Sequence, residues 1–198
     1  MSNEVTDLRQ DLRVMGLVGS AHASSHFFHL ILPPLFPILK LDFNVSFAAL
    51  GLLPTLFYGA SGIAQTFAGF LVDRFGARRV LLLGLTLLSL SVIGYGFCFS
   101  FWGLMFFSIT AGLGNSVFHP ADLSILTNKI STGRLGKAYA IHAFSGNIGW
   151  ACAPIFIVTL ASFWDWRTAT ILAGLIGLII VLMFFLSGEL LIENSKEH

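Results

Sequence analysis

Charge is scarce in this 198-residue sequence: Asp, Glu, Lys and Arg make up 11% of it, against roughly a quarter in soluble domains. With 56% hydrophobic residues, it holds more apolar surface than a water-soluble core can hide, so the composition implies lipid as the solvent. An excess of either sign is missing too. The formal net charge is +1, which gives no support to nucleic-acid binding, a function that needs a concentrated basic face. Cysteine is nearly absent: Cys98 and Cys152 both fall in apolar runs, where a cysteine serves as a small buried hydrophobe and not as half of a disulfide framework. No HExxH, P-loop, nucleophile elbow or Rossmann fingerprint is present, and the chain reads as no enzyme. No cleavable signal peptide is visible, because residues 1–13 carry both signs and the apolar run after them is too long for an h-region. The first helix is therefore expected to stay.

Long apolar runs are what the sequence does contain. A bilayer core about 30 Å thick needs about 20 apolar residues per helix, and runs of that kind fall near 15–37, 46–72, 80–99, 102–127, 137–160 and 168–187. Backbone polar groups in lipid must be satisfied within the segment, so these runs are expected as helices; transmembrane strands would be about half as long and would alternate. Twenty glycines suit the close helix approach that packing in lipid rewards. Lysine and arginine are retained on the cytoplasmic side. With the amino terminus inside, Arg9, Arg13, Arg74, Arg78, Arg79, Lys129, Arg134, Lys137 and Lys196 face the cytoplasm and only Lys40 and Arg167 face out, nine against two. Both termini then lie inside, the tail from residue 189 to 198 stays in water, and no soluble domain is attached. The expected fold is an all-α membrane protein, residues 1–198 as one six-helix domain. Its spans form two triplets, about 14–99 and 102–187, of opposite topology, as in an inverted repeat.

Between the second and third spans stands Gly69-Phe70-Leu71-Val72-Asp73-Arg74-Phe75-Gly76-Ala77-Arg78-Arg79. Gly69 is expected to allow close helix contact, Gly76 a tight turn, and Asp73 to pair with nearby arginines or meet a helix amino terminus. The spacing of glycine, Asp-Arg, glycine and paired basic residues resembles the loop signature of the major facilitator superfamily, although Ala77 stands where that family often has a basic residue. The resemblance implies half of a major facilitator fold, with the loop as a cytoplasmic gate that its charges latch.

Five of the six histidines, His22, His26, His29, His119 and His142, fall in the expected spans, where an imidazole tends to face a cavity or a partner. His22, His26 and His29 stand at i, i+4 and i+7, along one helix face. At about 1.5 Å rise per residue, His22, His119 and His142 come to one level, with His26 nearer the midplane. Asp122 is the only charged residue placed inside a span. Such a carboxylate is either a proton acceptor, coupled to His119, or a structural partner of Arg74 or Arg78. Asn115, Asn147 and Gln65 are further polar groups at membrane depth, where amides commonly bond between helices.

Pro33 frees the carbonyl of His29, and Pro120 that of Ser116. Each marks a carbonyl open to solute or ion, or else a kink or an early helix end; Pro120 lies further inside and is the better candidate. The run Gly114-Asn115-Ser116-Val117-Phe118-His119-Pro120-Ala121-Asp122 resembles the fourth span of the fosmidomycin-resistance group of that superfamily, which implies proton-driven efflux of a small molecule. Gly149-Trp150-Ala151-Cys152-Ala153-Pro154 is a loose version of the glycine-proline signature of superfamily antiporters, with alanine before the proline.

The expected function is secondary transport by alternating access in a bacterial inner membrane, powered by a proton gradient and requiring no cofactor or metal. His22, His26, His29, Asn115, His119, Asp122, His142 and Asn147 are assigned to the solute and proton pathway, and Gly69, Asp73, Arg74, Gly76, Arg78 and Arg79 to the gate. Uptake by the same machinery is one alternative. Another is a metal-dependent membrane enzyme, because His22-x3-His26 and His26-x2-His29 suit transition-metal ligands. The expected partners are a small-molecule substrate, protons, the bilayer and a second six-helix half, from a further copy or a separate chain; a half that binds partners without transport is the remaining reading.

Overall fold

Apolar runs of this length close their own hydrogen bonds, and every expected run is helical in the computed structural model, which describes residues 2–188 with side chains from residue 8. The polar tail at 189–198, Lys196 included, lies outside the described residues. The order is α1 (Ser2–His29), a 3-10 turn at Pro33–Leu35, α2 (Phe36–Asp42), α3 (Phe47–Leu50), α4 (Leu52–Phe75), α5 (Ala77–Gly96), α6 (Phe101–Asn115) and α7 (Phe118–Lys129). A second 3-10 turn at Thr132–Arg134 leads into α8 (Leu135–Phe163) and α9 (Trp166–Leu186). No strand occurs among the described residues.

Five stretches are long and apolar enough to cross a membrane: α3 with α4, α5, α6 with α7, α8 with its preceding turn, and α9. The first span falls short of that measure because serines and histidines interrupt it between Ser20 and His29. It is sheltered instead by protein, with Val14, Val18 and Ala21 fully buried on a helix packed chiefly against α8 and α7. Six helical rods result, as expected.

Several boundaries depart from the hydropathy runs. The first run, expected at 15–37, begins at Ser2 and ends at His29. Leu30 and Ile31 donate to the carbonyls of Phe27 and Phe28 at 3.3 and 3.4 Å, tightening the last turn before Pro33, Pro34 and Pro37 redirect the chain. The proline cluster therefore ends a helix. The second rod is interrupted at Gly51, where α3 gives way to α4. The fourth is broken at Ser116–Val117. Pro120 falls in the first turn of α7, where a missing N–H leaves no intrahelical bond unmade, so its main effect is to start a helix.

The closest-packed rods are α1 with α8, α4 with α6, and α5 with α9. Exchanging the first three rods for the last three maps the first pair onto the second and the third onto itself, the pairing that an inverted repeat requires. Gly149 lies so close to the Ala23 carbonyl, and Gly112 to the Phe57 carbonyl, that a Cβ at either position would overlap the facing backbone. One contact breaks the exchange: α5 packs tightly on α6, whereas α1 barely touches α9.

Three carboxyl-free or acidic caps start the rods at one end of the bundle. Ser46 Oγ accepts from the Ala49 N–H at 3.1 Å and Ser100 Oγ from the Gly103 N–H at 3.3 Å. Asp165 accepts from the N–H groups of Arg167 and Thr168 at 2.8 and 2.9 Å. At this end Arg167 also pairs with Asp42 at 2.8 Å. The opposite, basic end carries Arg74, Arg78, Arg79, Lys129, Arg134 and Lys137. There Asp11, expected in the polar lead, is 2% exposed and accepts from Arg134 Nε at 2.6 Å and Ser131 Oγ at 2.9 Å.

Candidate functional site

Asp122 lies in α7 with no exposed surface, and its nearest charged or titratable neighbours are imidazoles. His142 Nε2, from α8, is 3.0 Å from Asp122 Oδ2. His22 Nδ1, from α1, is 3.3 Å from the same oxygen but lacks the alignment of a hydrogen bond, so it and Asp122 Oδ1 are both buried without a partner. The two rings stack at 3.6 Å between centroids. Neither arginine expected as a structural partner is there. Arg78 donates to the Phe185 carbonyl at 3.1 Å and Arg74 lies over the Phe75 ring. His119, expected to couple with the acid, lies on the exposed side within electrostatic reach of Asp122, its ring 5.4 Å from His22 and 6.4 Å from His142.

From this acid the imidazoles run as a row. Centroid separations are 3.6 Å from His142 to His22, 4.3 Å to His26 and 5.0 Å to His29, as the i, i+4, i+7 spacing on α1 dictates. Gly146 makes room for the row, since a Cβ there would stand 2.9 Å from His22 Nε2 and from His26 Nδ1.

At the far end of the row the side chains are tied down. Trp150 Nε1–H donates to His29 Nδ1 at 3.2 Å, and because an indole nitrogen only donates, the His29 proton must sit on Nε2. That nitrogen lies 3.1 Å from Asn115 Oδ1, which also accepts from Ser25 Oγ at 2.6 Å; Asn115 Nδ2 donates to Ser61 Oγ at 3.0 Å. Three rods therefore meet at Asn115, beside the break in the fourth rod, and α8 joins them through the Trp150 bond to His29. Tyr58 and Trp150, 48% and 41% exposed, border this network on its open side.

The structure thus brings together His22, His26, His29, Asn115, His119, Asp122 and His142. It leaves out Asn147 and Gln65, both exposed and neither bonded to another helix. The gate residues fall on helices and not in a loop: Asp73 and Arg74 end α4, Arg78 and Arg79 open α5, and Gly76 alone joins them, at φ +84°. That turn requires glycine. Gly69 faces open space, so it makes no close contact, and exposed Asp73 has no ion pair among the described residues; the expected latch has no partner here. Cys98 is buried, but Cys152 is exposed, and both are free. Ser25, Ser61, Tyr58 and Trp150 escaped the sequence reading, although Ser25 stands three residues from His22 on the same helix face.

A sequence model of the Major Facilitator Superfamily matches residues 18–197. The chain belongs to that superfamily. It is similar to the MFS-type transporter YfnC of Bacillus subtilis (strain 168), at 26% identity over 93% of this chain and 46% of the relative. It is also similar to the fosmidomycin resistance protein of Escherichia coli (strain K12), at 24% identity over 89% of this chain and 44% of that protein. Among solved structures, a bacterial homologue of the human lysosomal transporter Spinster, inward-facing and unoccupied, matches with a TM-score of 0.80 and 18% identity over 96% of this chain and 44% of its own. The fold is therefore that of a major facilitator half, in a multi-pass membrane protein. The chain spans less than half the length of these relatives.

Proposed function

We propose that the chain supplies one half of a proton-coupled exporter of small molecules, of the kind named in the fosmidomycin resistance protein. The observation that carries this reading is Asp122: a fully buried carboxylate whose neighbours are imidazoles and whose second oxygen is unpaired. Histidine titrates near neutral pH when unperturbed, so an acid ringed by imidazoles can gain and pass a proton as the bundle changes shape. Asp122, His22 and His142 take the proton; His119 and His26 connect them to the open side. His29, Asn115, Tyr58 and Trp150 form the wall that a solute touches.

A second six-helix half, from another copy or a separate polypeptide, closes the cavity over that wall, and residues 1–198 act as one transmembrane unit. The basic end faces the cytoplasm of a bacterial inner membrane, following the retention of Lys and Arg, with both termini on that side. Gly76 and the charges around it form the gate. Proton motive force replaces any cofactor.

The test is uptake of labelled fosmidomycin by inverted vesicles holding the chain and its companion half, with the pH gradient imposed or collapsed. Gradient-dependent uptake that Asp122→Asn and His119→Ala abolish is expected. Equal uptake by both variants and the parent would remove these residues from coupling; uptake in right-side-out vesicles alone would make the chain an importer.

A further inference from the structure

We propose that His22, Asp122 and His142 form a binding site for one divalent transition-metal ion of the zinc class, held between α1, α7 and α8. The inference goes beyond transport and does not rest on it. One ligand atom from each residue lies within 4.8 Å of the other two, and the carboxylate oxygen is 3.0 Å from His142 Nε2 and 3.3 Å from His22 Nδ1. Zinc bonds of about 2.0–2.1 Å to nitrogen or oxygen put neighbouring tetrahedral donors about 3.3 Å apart. The two separations to the carboxylate oxygen therefore stand near that spacing before any ion arrives; the stacked His22 and His142 rings must splay apart for both lone pairs to meet one ion.

Chemistry narrows the class. Two imidazoles with one carboxylate suit zinc, cobalt, nickel or copper, whereas calcium and magnesium require oxygen ligands throughout. Need points the same way, because His22 Nδ1 and Asp122 Oδ1 are buried, 3% and 0% exposed by residue, and lack hydrogen-bond partners. Unpaired buried polar atoms are expensive, and a cation held by Asp122 Oδ2 and the two imidazoles would satisfy His22 Nδ1 directly, while Oδ1 gains a partner only if the carboxylate binds through both oxygens. No lysine or arginine competes for Asp122 among the described residues.

Three protein donors leave a fourth position. Water, a solute atom or the His119 imidazole, whose ring stands 5.4 Å from that of His22, would take it. The trio differs from the i, i+4, i+7 set that the sequence spacing offered, because His26 and His29 face along α1 away from the carboxylate while His142 arrives from another helix.

Cobalt(II) titration of the 198-residue chain in lipid nanodiscs, without an oligohistidine tag, tests this. One Co2+ per chain with the intense visible absorption of tetrahedral cobalt is expected, lost on adding one equivalent of Zn2+. Asp122→Asn and His142→Ala should each weaken binding by at least about a hundredfold, since even outer partners of a metal ligand matter by 10–100-fold; Cys152→Ala, which removes the exposed thiol, should leave the spectrum unchanged. Wild-type protein showing only the weak octahedral spectrum at saturating cobalt would overturn the site, as would full absorption in both Asp122→Asn and His142→Ala at the cobalt concentration that half-saturates the parent. If the variants fail to fold, X-ray absorption on the zinc-loaded parent decides: a shell without two imidazoles rejects the proposal. Because nothing is transported in these measurements, cobalt binding by a chain that carries no solute would refute the exporter alone.

Discussion

Two carboxylates lie buried among the described residues, and their surroundings differ in kind. Asp11, at the basic end, is 2% exposed and Asp122, in the interior, 0%. Both oxygens of Asp11 are used: Ser131 N–H reaches Oδ1 at 3.4 Å, and Ser131 Oγ and Arg134 Nε donate to Oδ2 at 2.9 and 2.6 Å. Its cation is an arginine, which never gives up its proton in a protein. Asp122 has one bonded oxygen and one orphan, and its neighbours are imidazoles and not a permanent cation. Burial alone therefore does not mark a working acid. A permanent, fully bonded partner makes a clamp, while imidazoles and a vacant lone pair leave the carboxylate free to take a further partner.

The contrast can be broken most forcefully at Asp11. Asp11→Ala should lower stability by about 2–3 kcal/mol, read as a fall in the thermal midpoint in detergent, with flux per folded molecule unchanged. A variant as stable as the parent would show that the clamp contributes nothing. Asp122→Asn should do the reverse: a tenfold or greater loss of gradient-driven flux, about 1.4 kcal/mol on the limiting step, with little change in the midpoint. Equal losses of flux in both variants would erase the distinction.

Two rim carboxylates set the lower end of the scale. Asp165→Ala removes the cap of α9 and should cost about 1 kcal/mol. The Thr168 hydroxyl, then the N–H groups of Thr168 and Arg167, hold this carboxyl below its ordinary value of 3.8. The cap's contribution is thus complete above that value and lost as pH falls through the lower, folded one. The gap between parent and variant midpoints should close on acidification; a gap that widens contradicts the assignment. Asp42→Asn, at a pair whose side chains are 36% and 30% exposed, should cost only about 0.5 kcal/mol, with salt shrinking the effect. An insensitivity to salt would argue for the Trp166 Nε1–H bond to Asp42, 3.0 Å long, as the main contribution.

Hydropathy made the rods legible because lipid admits so few backbone solutions, and the periodicity of His22, His26 and His29 placed three rings on one face. The first span was the hardest to bound, since a helix shielded by neighbouring protein is free to be polar and its polar lead can remain helical. Which base faces Asp122 was out of reach for a different reason. His22 and His142 sit 100 and 20 residues from it, and their meeting depends on the rotation of α1, α7 and α8 about their axes, to which hydropathy is blind. The same holds for Asp11 and Arg134, 123 residues apart. The Gly-x3-Asp-Arg-x-Gly spacing identified a family signature, but whether its charges latch depends on a surface that the described residues do not supply.

Because Gly149 brings α1 and α8 together backbone to backbone, the rings of His22 and His142 ride on a common frame, whereas Asp122 rides on the articulated rod beyond Ser116–Val117. The carboxylate and the two rings therefore rest on separate supports, and the angle at the break sets where Asp122 stands against a stack that the α1–α8 contact holds.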